Sequence, residues 1–470
     1  MTLLPLGMVA ILVLFFLVER DPGLFANTTY LAGMLALQIA LIGLSRFEAA
    51  FFPLLMGTFL WAGSMLPFYG AGKELRWLFL TLGALGGFVI WMRSPKVQHF
   101  RAFHLVALFC VASALVSAMV SEVPGTALLK VLSLFLLFLY ASSGARLAVA
   151  EREQKFLNGL VLACEVLVYF SAVCYFALGY QVFGNPNALG AIIGVAAVPV
   201  LFWAAMVAET AGLRQRRFLA LALCGGLLYL SNSRASILTA AVVMVAFTVA
   251  LRRQRLLLQC AFASVFFLTI MAVINPSHVD ELVSSFTGRV VFKEQGTHHG
   301  VFGSRLSPWA DTLTEVKRHP WFGSGFGTSE LGDLRPEEDS SSVHTVIGTN
   351  REHGNSYFAL AEYMGIVGAA PFLILLFLLF RRLGRIYSWM RRTRNPYHPC
   401  IPFAVVVLAG LVHACFEDWL FAVGSYLCVF LWVSAFVLMD LAPEDEPARS
   451  TVMLHRRGIA PQAPMAHSLR

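Results

Sequence analysis

Charge is scarce in this chain: Asp, Glu, Lys and Arg together make up 13% of its 470 residues, against 58% for the hydrophobic types. A water-soluble fold of this length would expose far more apolar surface than water tolerates, so the soluble classes are excluded. Alternation of apolar and polar residues with period two is missing, which excludes an outer-membrane barrel. Cysteines are few and poorly spaced. Cys110, Cys164, Cys174, Cys224, Cys260, Cys400, Cys415 and Cys428 include no CxxC pair, and most sit in apolar runs where a thiol behaves as a small hydrophobe. Neither a disulfide framework nor a zinc site is expected. His298, His299, His319 and His344 lack the spacing of metal ligands, and no metal or other cofactor is expected. No internal repeat is visible.

What remains is a series of long apolar runs, with a mean hydropathy of +0.71. Backbone amides in hydrocarbon must be satisfied within their own segment, so runs of about twenty residues read as spanning helices. The expected fold is an all-α integral membrane protein of about 12–14 transmembrane helices with one large, partly helical periplasmic loop. Spans fall near 5–18, 28–45, 50–66, 76–92, 103–120, 127–147, 156–178, 188–208, 217–231, 235–251, 256–274, 355–380, 401–416 and 419–440. Residues 1–274 thus form the N-terminal transmembrane helices, 275–354 the loop, 355–441 the C-terminal helices and 442–470 a disordered cytoplasmic tail. The first span has no basic start and no small-residue cleavage site, and reads as an uncleaved helix.

The net charge of +8 is spread over short loops rather than along one face, so no nucleic-acid partner is indicated. Arg214, Arg216 and Arg217 form one cluster, and Arg252, Arg253 and Arg255 a second. Arg381, Arg382, Arg385, Arg391, Arg392 and Arg394 form the largest. All read as cytoplasmic anchors facing anionic membrane lipids. Alternate loops from Arg46 onward carry about nineteen Lys and Arg, against about five on the opposite set. The rich side is assigned to the cytoplasm and 275–354 to the periplasm; Arg20 alone fits poorly.

At about eighty residues, that outer segment is too long for a plain connection. From Ser304 to Arg318 apolar and charged residues alternate at helical spacing, with Trp309, Leu313 and Val316 on one side. Pro320 ends the helix, and Gly323, Gly325 and Gly327 follow as a flexible turn. Residues 329–350, polar and rich in Ser, Glu and Asp, have a mobile composition.

Four polar constellations interrupt the apolar pattern on the outer side. In Gly184-Asn185-Pro186-Asn187, the Asn before Pro favours an extended turn and Asn187 can cap the helix that follows. In Asn232-Ser233-Arg234, the arginine either snorkels to the headgroups or offers its planar fork to a diphosphate. Arg305 heads the loop helix, either as a solvated charge or as a second such cation. In Glu352-His353-Gly354-Asn355-Ser356-Tyr357 the chain returns to the membrane. His353 has the right pKa range to accept a hydroxyl proton, and Asn355 or Ser356 would cap the helix. Glu165 sits mid-span and must be neutral or paired. His413, Glu417 and Asp418 lie at the outer end of a late span and could line the same cavity.

Four stretches in this order resemble the O-antigen ligase and O-antigen/exopolysaccharide polymerase family of bacterial envelope glycosyltransferases. Gly184 to Leu189 resembles its Asn-Pro-Asn helix start, and Ser231 to Ser236 its Ser-Arg motif. Arg318-His319-Pro320-Trp321-Phe322-Gly323-Ser324-Gly325-Phe326-Gly327 resembles its glycine turn. His353 to Tyr357, continuing through Glu362 to Gly368, resembles the helix that returns to the membrane. The likeness covers about 180–380. It implies a metal-independent, inverting glycosyltransferase of the inner membrane, acting at the periplasmic face in O-antigen or exopolysaccharide biosynthesis. The donor it implies is an undecaprenyl-diphosphate-linked glycan, and the acceptor a glycan or lipid hydroxyl. Arg234 and Arg305 would hold the diphosphate and His353 would orient or deprotonate the acceptor. Asn187, Asn355, Tyr357, Glu362, His413 and Glu417 would support them. One departure is that many relatives place Asn directly after the histidine, whereas here Gly354 intervenes. That shifts Asn355 by one position, about 100° on a helix.

Two other classes fit a polytopic chain. A transporter or flippase of lipid-linked glycans would show paired broken helices, more midplane charge and often an inverted repeat. A scaffolding protein would make the Arg and His cluster accidental. Here the polar groups collect on one side of the membrane, which favours catalysis at that face.

Overall fold

The computed structural model describes residues 28–255 apart from 68, 95, 98 and 99, single positions between 258 and 288, residues 303–329 and residues 353–443. The expected span 5–18, most of 256–274, the polar stretch after 329 and the tail from 444 lie outside the described residues. Among the described residues every regular element is helical. The protein is an all-α integral membrane protein, as its composition requires.

The helices are α1 (Thr28–Ser45), α2 (Phe47–Ala62), α3 (Tyr69–Arg93), α4 (Ala102–Met119), α5 (Pro124–Ser142), the short α6 (Gly144–Val149), α7 (Glu153–Ala177) and α8 (Pro186–Met206). Then follow α9 (Ala211–Leu230), α10 (Arg234–Ala250), α11 (Gly303–Arg318), α12 (Ser356–Thr393), α13 (Cys400–His413) and α14 (Tyr426–Leu441). Six of the described helices are long and apolar enough to cross a membrane, and five shorter apolar helices accompany them. Most of their ends agree with the apolar runs to within a few residues; α3 and α9 start earlier, at Tyr69 rather than 76 and at Ala211 rather than 217. Helix α12 continues well past 380 into its arginine-rich end, and the last span starts at Tyr426 rather than 419 because residues 414–425 form a turn.

Helices in hydrocarbon gain little from apolar burial, so close backbone approach holds them together. Gly83 and Gly87 on α3 provide it: a Cβ at Gly87 would lie 2.8 Å from the Gly144 Cα, and one at Gly83 would lie 3.0 Å from the Tyr140 ring. Gly190 and Gly194 do the same for α8, which meets Ser231, Ser233 and Ser236 there. This helix is the centre of the bundle, with 89% of its apolar stretch buried.

Several arginines at the ends rich in positive charge also contact the protein itself. Arg216 grips Glu165 with two nitrogens, at 3.2 and 2.6 Å, so the mid-span carboxylate is paired. Arg217 Nη1 donates to Ala204 O at 2.5 Å and Arg214 Nη2 to Ala208 O at 3.3 Å. Arg382 Nη2 donates to Ala442 O at 3.1 Å, and Arg101 Nη1 to Met439 O at 2.8 Å. A helix C-terminus leaves carbonyls without partners, and guanidinium groups satisfy them more strongly than water would. Arg146 pairs with Asp440 beside them. These contacts sit at one end of the bundle; the four sequence constellations gather at the other.

Candidate active site

The site is assembled around a break in α12. Gly365 has φ 61° and ψ −173°, far from helical values, so the helix stops and restarts there. Such a break frees carbonyls, and the glycine turn after α11 satisfies them. Ser324 N donates to Glu362 O at 3.0 Å and Gly325 N to Tyr363 O at 3.3 Å. In return Ile366 N donates to Pro320 O at 2.8 Å and Val367 N to Trp321 O at 3.1 Å. Side chains would prevent this contact: a Cβ on Gly323 would meet the Tyr363 carbonyl carbon at 2.3 Å, and one on Gly365 the Trp321 carbonyl carbon at 2.5 Å. The turn expected to be flexible is thus buried and pinned, because its glycines serve close backbone approach. Helix α4 supports the same break, with Ser117 Oγ donating to Tyr363 O at 2.6 Å.

Helix α11 forms over 303–318 and ends at His319 and Pro320. Its inner face is only partly the one the apolar spacing indicated. Leu313 is exposed, while Thr312 and Glu315 are buried beside half-buried Trp309 and Val316. The protein it packs on is polar here, so hydrogen-bonding side chains turn inward. Trp309 Nε1 donates to Gly354 O at 3.4 Å, and its ring meets Phe358 edge-on.

That packing brings Arg305 to Glu417, with Nη2 to Oε1 at 2.6 Å. Gly354 lies between the two strands of chain with φ 62°, and a Cβ there would stand 2.8 Å from Arg305 Nη1. The residue that separates His353 from Asn355 therefore makes room for the guanidinium. Asn355 caps α12 as expected, its Oδ1 accepting from Tyr357 N at 2.8 Å and Phe358 N at 3.2 Å. Tyr357 serves the scaffold, donating through Oη to Leu411 O at 2.9 Å. Ser356 Oγ donates to Glu417 O at 2.6 Å and accepts from Trp419 N and Leu420 N at 3.0 and 3.1 Å, fixing the 414–425 turn.

His353 is fully buried between two carboxylates. Its Nδ1 lies 2.7 Å from Asp418 Oδ2, and its Nε2 lies 3.2 Å from Glu362 Oε2. Tyr363 Oη reaches Asp418 Oδ2 at 3.4 Å. Burial by itself would lower the imidazole pKa, but the hydrogen bonds and charges of Asp418 and Glu362 outweigh it and raise it from 6.5 to about 9. The shift favours the imidazolium form, with Nδ1 hydrogen-bonded to Asp418 and Nε2 facing Glu362.

Arg234 begins α10, after Asn232 at φ 50°. It is half-buried and close enough to Arg305 for the two guanidinium groups to feel each other's charge. A buried relay fixes this helix start. Ser233 Oγ and Ser236 Oγ are 2.7 Å apart, Ser236 Oγ lies 3.1 Å from His413 Nε2, and Trp419 Nε1 donates to His413 Nδ1 at 2.9 Å. An indole N–H only donates, so Nδ1 is the acceptor and a neutral His413 carries its proton on Nε2, toward Ser236. On α8 the expected cap moves by two residues. Asn185, extended ahead of Pro186, accepts from Asn187 N at 2.8 Å, while Asn187 is already inside the helix and faces a cavity.

That cavity has a volume of about 810 Å³ and is walled by Asn187, His413, Glu417, Asp418 and Tyr363. Two cations that the sequence reading passed over, Arg76 on α3 and Lys130 on α5, line it as well. A signal existed, since an isolated cation in an apolar run is costly and usually has a task.

Fold and site define a multi-pass membrane protein with an Arg, His and carboxylate cluster at one end of its helical bundle. Residues 219–373 match the family model described as O-antigen ligase, so the resemblance seen in the motifs stands. The match spans α9, α10, the glycine turn and the first half of α12, and supports an O-antigen ligase-type function and a glycosyltransferase-like activity. No curated protein matches the chain.

Proposed function

We propose that this protein transfers a glycan from undecaprenyl diphosphate to an acceptor hydroxyl at the periplasmic face of a bacterial inner membrane, with inversion and without a metal. The observation that carries this reading is the split between adjacent carboxylates. Glu417 holds Arg305, and Asp418 holds His353, on the wall of one cavity. A guanidinium pair suits the diphosphate, whose charge grows as the glycosidic bond breaks. The attacking hydroxyl approaches the anomeric carbon from the opposite face. A new C–O bond forms, the bond to the diphosphate oxygen breaks with its electron pair leaving on the phosphate, and the hydroxyl proton goes to a base.

His353 is set back from that hydroxyl, because its ring is fully buried and its Nδ1 is taken up by Asp418. Asp418, with 21% of its side chain exposed, is the member of the pair that reaches the cavity. Asp418 therefore accepts the proton, and His353 positions it and steadies its charge. Tyr363, Asn187 and His413 line the remaining wall and orient sugar hydroxyls. Arginine-rich loops at the far end of the bundle support a periplasmic orientation for this end.

The deciding experiment is deletion of the gene in its native host, followed by analysis of lipid-linked, surface-bound and secreted glycans. Accumulated lipid-linked glycan with loss of longer or ligated product is expected. An unchanged glycan profile overturns the reading. A reporter fused after Thr328 should be exported, and a cytoplasmic readout would reverse the orientation.

A further inference from the structure

The cavity has a cationic wall that the diphosphate chemistry does not use. Arg76 Nη1 donates to Gly424 O at 2.7 Å, and its guanidinium stacks on the Trp77 ring at 4.9 Å. Its Nε is buried without a hydrogen-bond partner. Lys130 Nζ donates to Gly327 O, and the third glycine of the turn admits it: with φ 71°, a Cβ there would meet Lys130 Cδ at 2.6 Å. Neither cation makes an ion pair among the described residues; the longer-range attraction of Glu74 reaches Arg76 and that of Asp418 reaches Lys130. Two positive groups hydrogen-bonded to carbonyls, with no carboxylate in direct contact, are only partly compensated and would be stabilised by an anion between them.

Around them the lining is of the kind that receives sugars. Trp77, Phe183, Phe326 and Tyr426 line it together with the polar Asn185 and Ser133. The geometry points to a subsite for a carboxylated sugar, in which Arg76 and Lys130 bind the carboxylate of a uronate-type residue in the acceptor glycan. This rests on the reading that the cavity receives the acceptor. Diphosphate oxygens carry the same charge, but Arg234 and Arg305 serve them in a different part of the site. Helices α3 and α5 lie outside the stretch that matches the family model.

The test is a calorimetric titration of the full-length protein in phosphatidylcholine nanodiscs with trigalacturonate, neutral galactotriose and inorganic diphosphate. Trigalacturonate should bind about tenfold tighter than galactotriose at low salt, with the advantage shrinking as salt rises. Arg76→Gln and Lys130→Gln should each remove that advantage while leaving galactotriose binding in place, and Arg76→Lys should retain much of it. Equal binding of the two sugars by the unaltered protein overturns the subsite. So does an advantage that survives both Gln variants, or an Arg76→Gln variant that loses diphosphate but keeps trigalacturonate. If a Gln variant does not remain monodisperse, the comparison of the two sugars on the unaltered protein decides alone. Because binding is read and not transfer, failure here leaves the glycosyltransferase reading standing, and absence of transfer leaves this subsite standing.

Discussion

Glu417 and Asp418 are neighbours in the chain, yet each faces a different cation. Glu417 Oε1 lies 2.6 Å from Arg305 Nη2, and Asp418 Oδ2 lies 2.7 Å from His353 Nδ1. Successive residues in a turn point apart, so one short segment ties the loop helix α11 and the start of α12 to the same wall. The Arg305 guanidinium and the His353 imidazole are thereby anchored to one short segment.

Asp418→Asn removes the base and keeps the shape. Glycan transfer by the protein in nanodiscs should fall by about 10²- to 10⁴-fold, with the protein still folded. His353→Ala should abolish product while the protein remains in the membrane. Normal yield from either variant would remove the pair from the chemistry.

Replacing an arginine of the proposed diphosphate site by lysine keeps the charge and loses the fork. Arg305→Lys and Arg234→Lys should each reduce transfer by about tenfold or more, because an ammonium offers no two-pronged contact. If lysine supports full transfer at either position, that residue supplies charge alone.

Stability should depend on alkaline pH through His353. Its pKa is raised from 6.5 to about 9 in the folded protein, so the proton is held more tightly there than in the unfolded chain. The resulting stabilisation is complete below about 6.5 and is lost as pH rises through about 9. The thermal midpoint in detergent should decline across that window, and the decline should flatten in His353→Gln. A variant with an unchanged pH profile would show that another group titrates.

Gly365→Ala tests the docking of the glycine turn. Positive φ alone costs a side chain about 1–3 kcal/mol, and the added Cβ would lie 2.5 Å from the Trp321 carbonyl carbon. The variant should be less stable and should expose the 320–327 turn to protease. Proteolysis at the unaltered rate would mean that the turn is held elsewhere. Gly384, with nothing within 4 Å of its Cβ position, is the matched control and should tolerate alanine.

Much of the architecture was legible in the sequence because hydrocarbon leaves few choices. An apolar run of the right length must be a helix, and its charged ends mark the two faces. The order of polar motifs also pointed to one face of the membrane. Arg305, His353, Glu417 and Asp418 were visible as candidates, and Asn355 as a cap. The cap at Asn185, the inward turn of Thr312 and Glu315, and the pinned glycine turn were not. Each depends on which polar group of a distant helix lies opposite, and residue spacing holds no record of that.

By itself the sequence determined the class of protein, the course of its helices and which residue types were available for chemistry. The tertiary structure decided the pairing. It placed His353 between Glu362 and Asp418, fully buried, and left Asp418 as the partner that reaches the cavity. It also brought Arg76 and Lys130 from the N-terminal half to the same cavity. Electrostatics acts through space over a few ångströms, whereas position along the chain measures distance in residues; only folding converts one into the other.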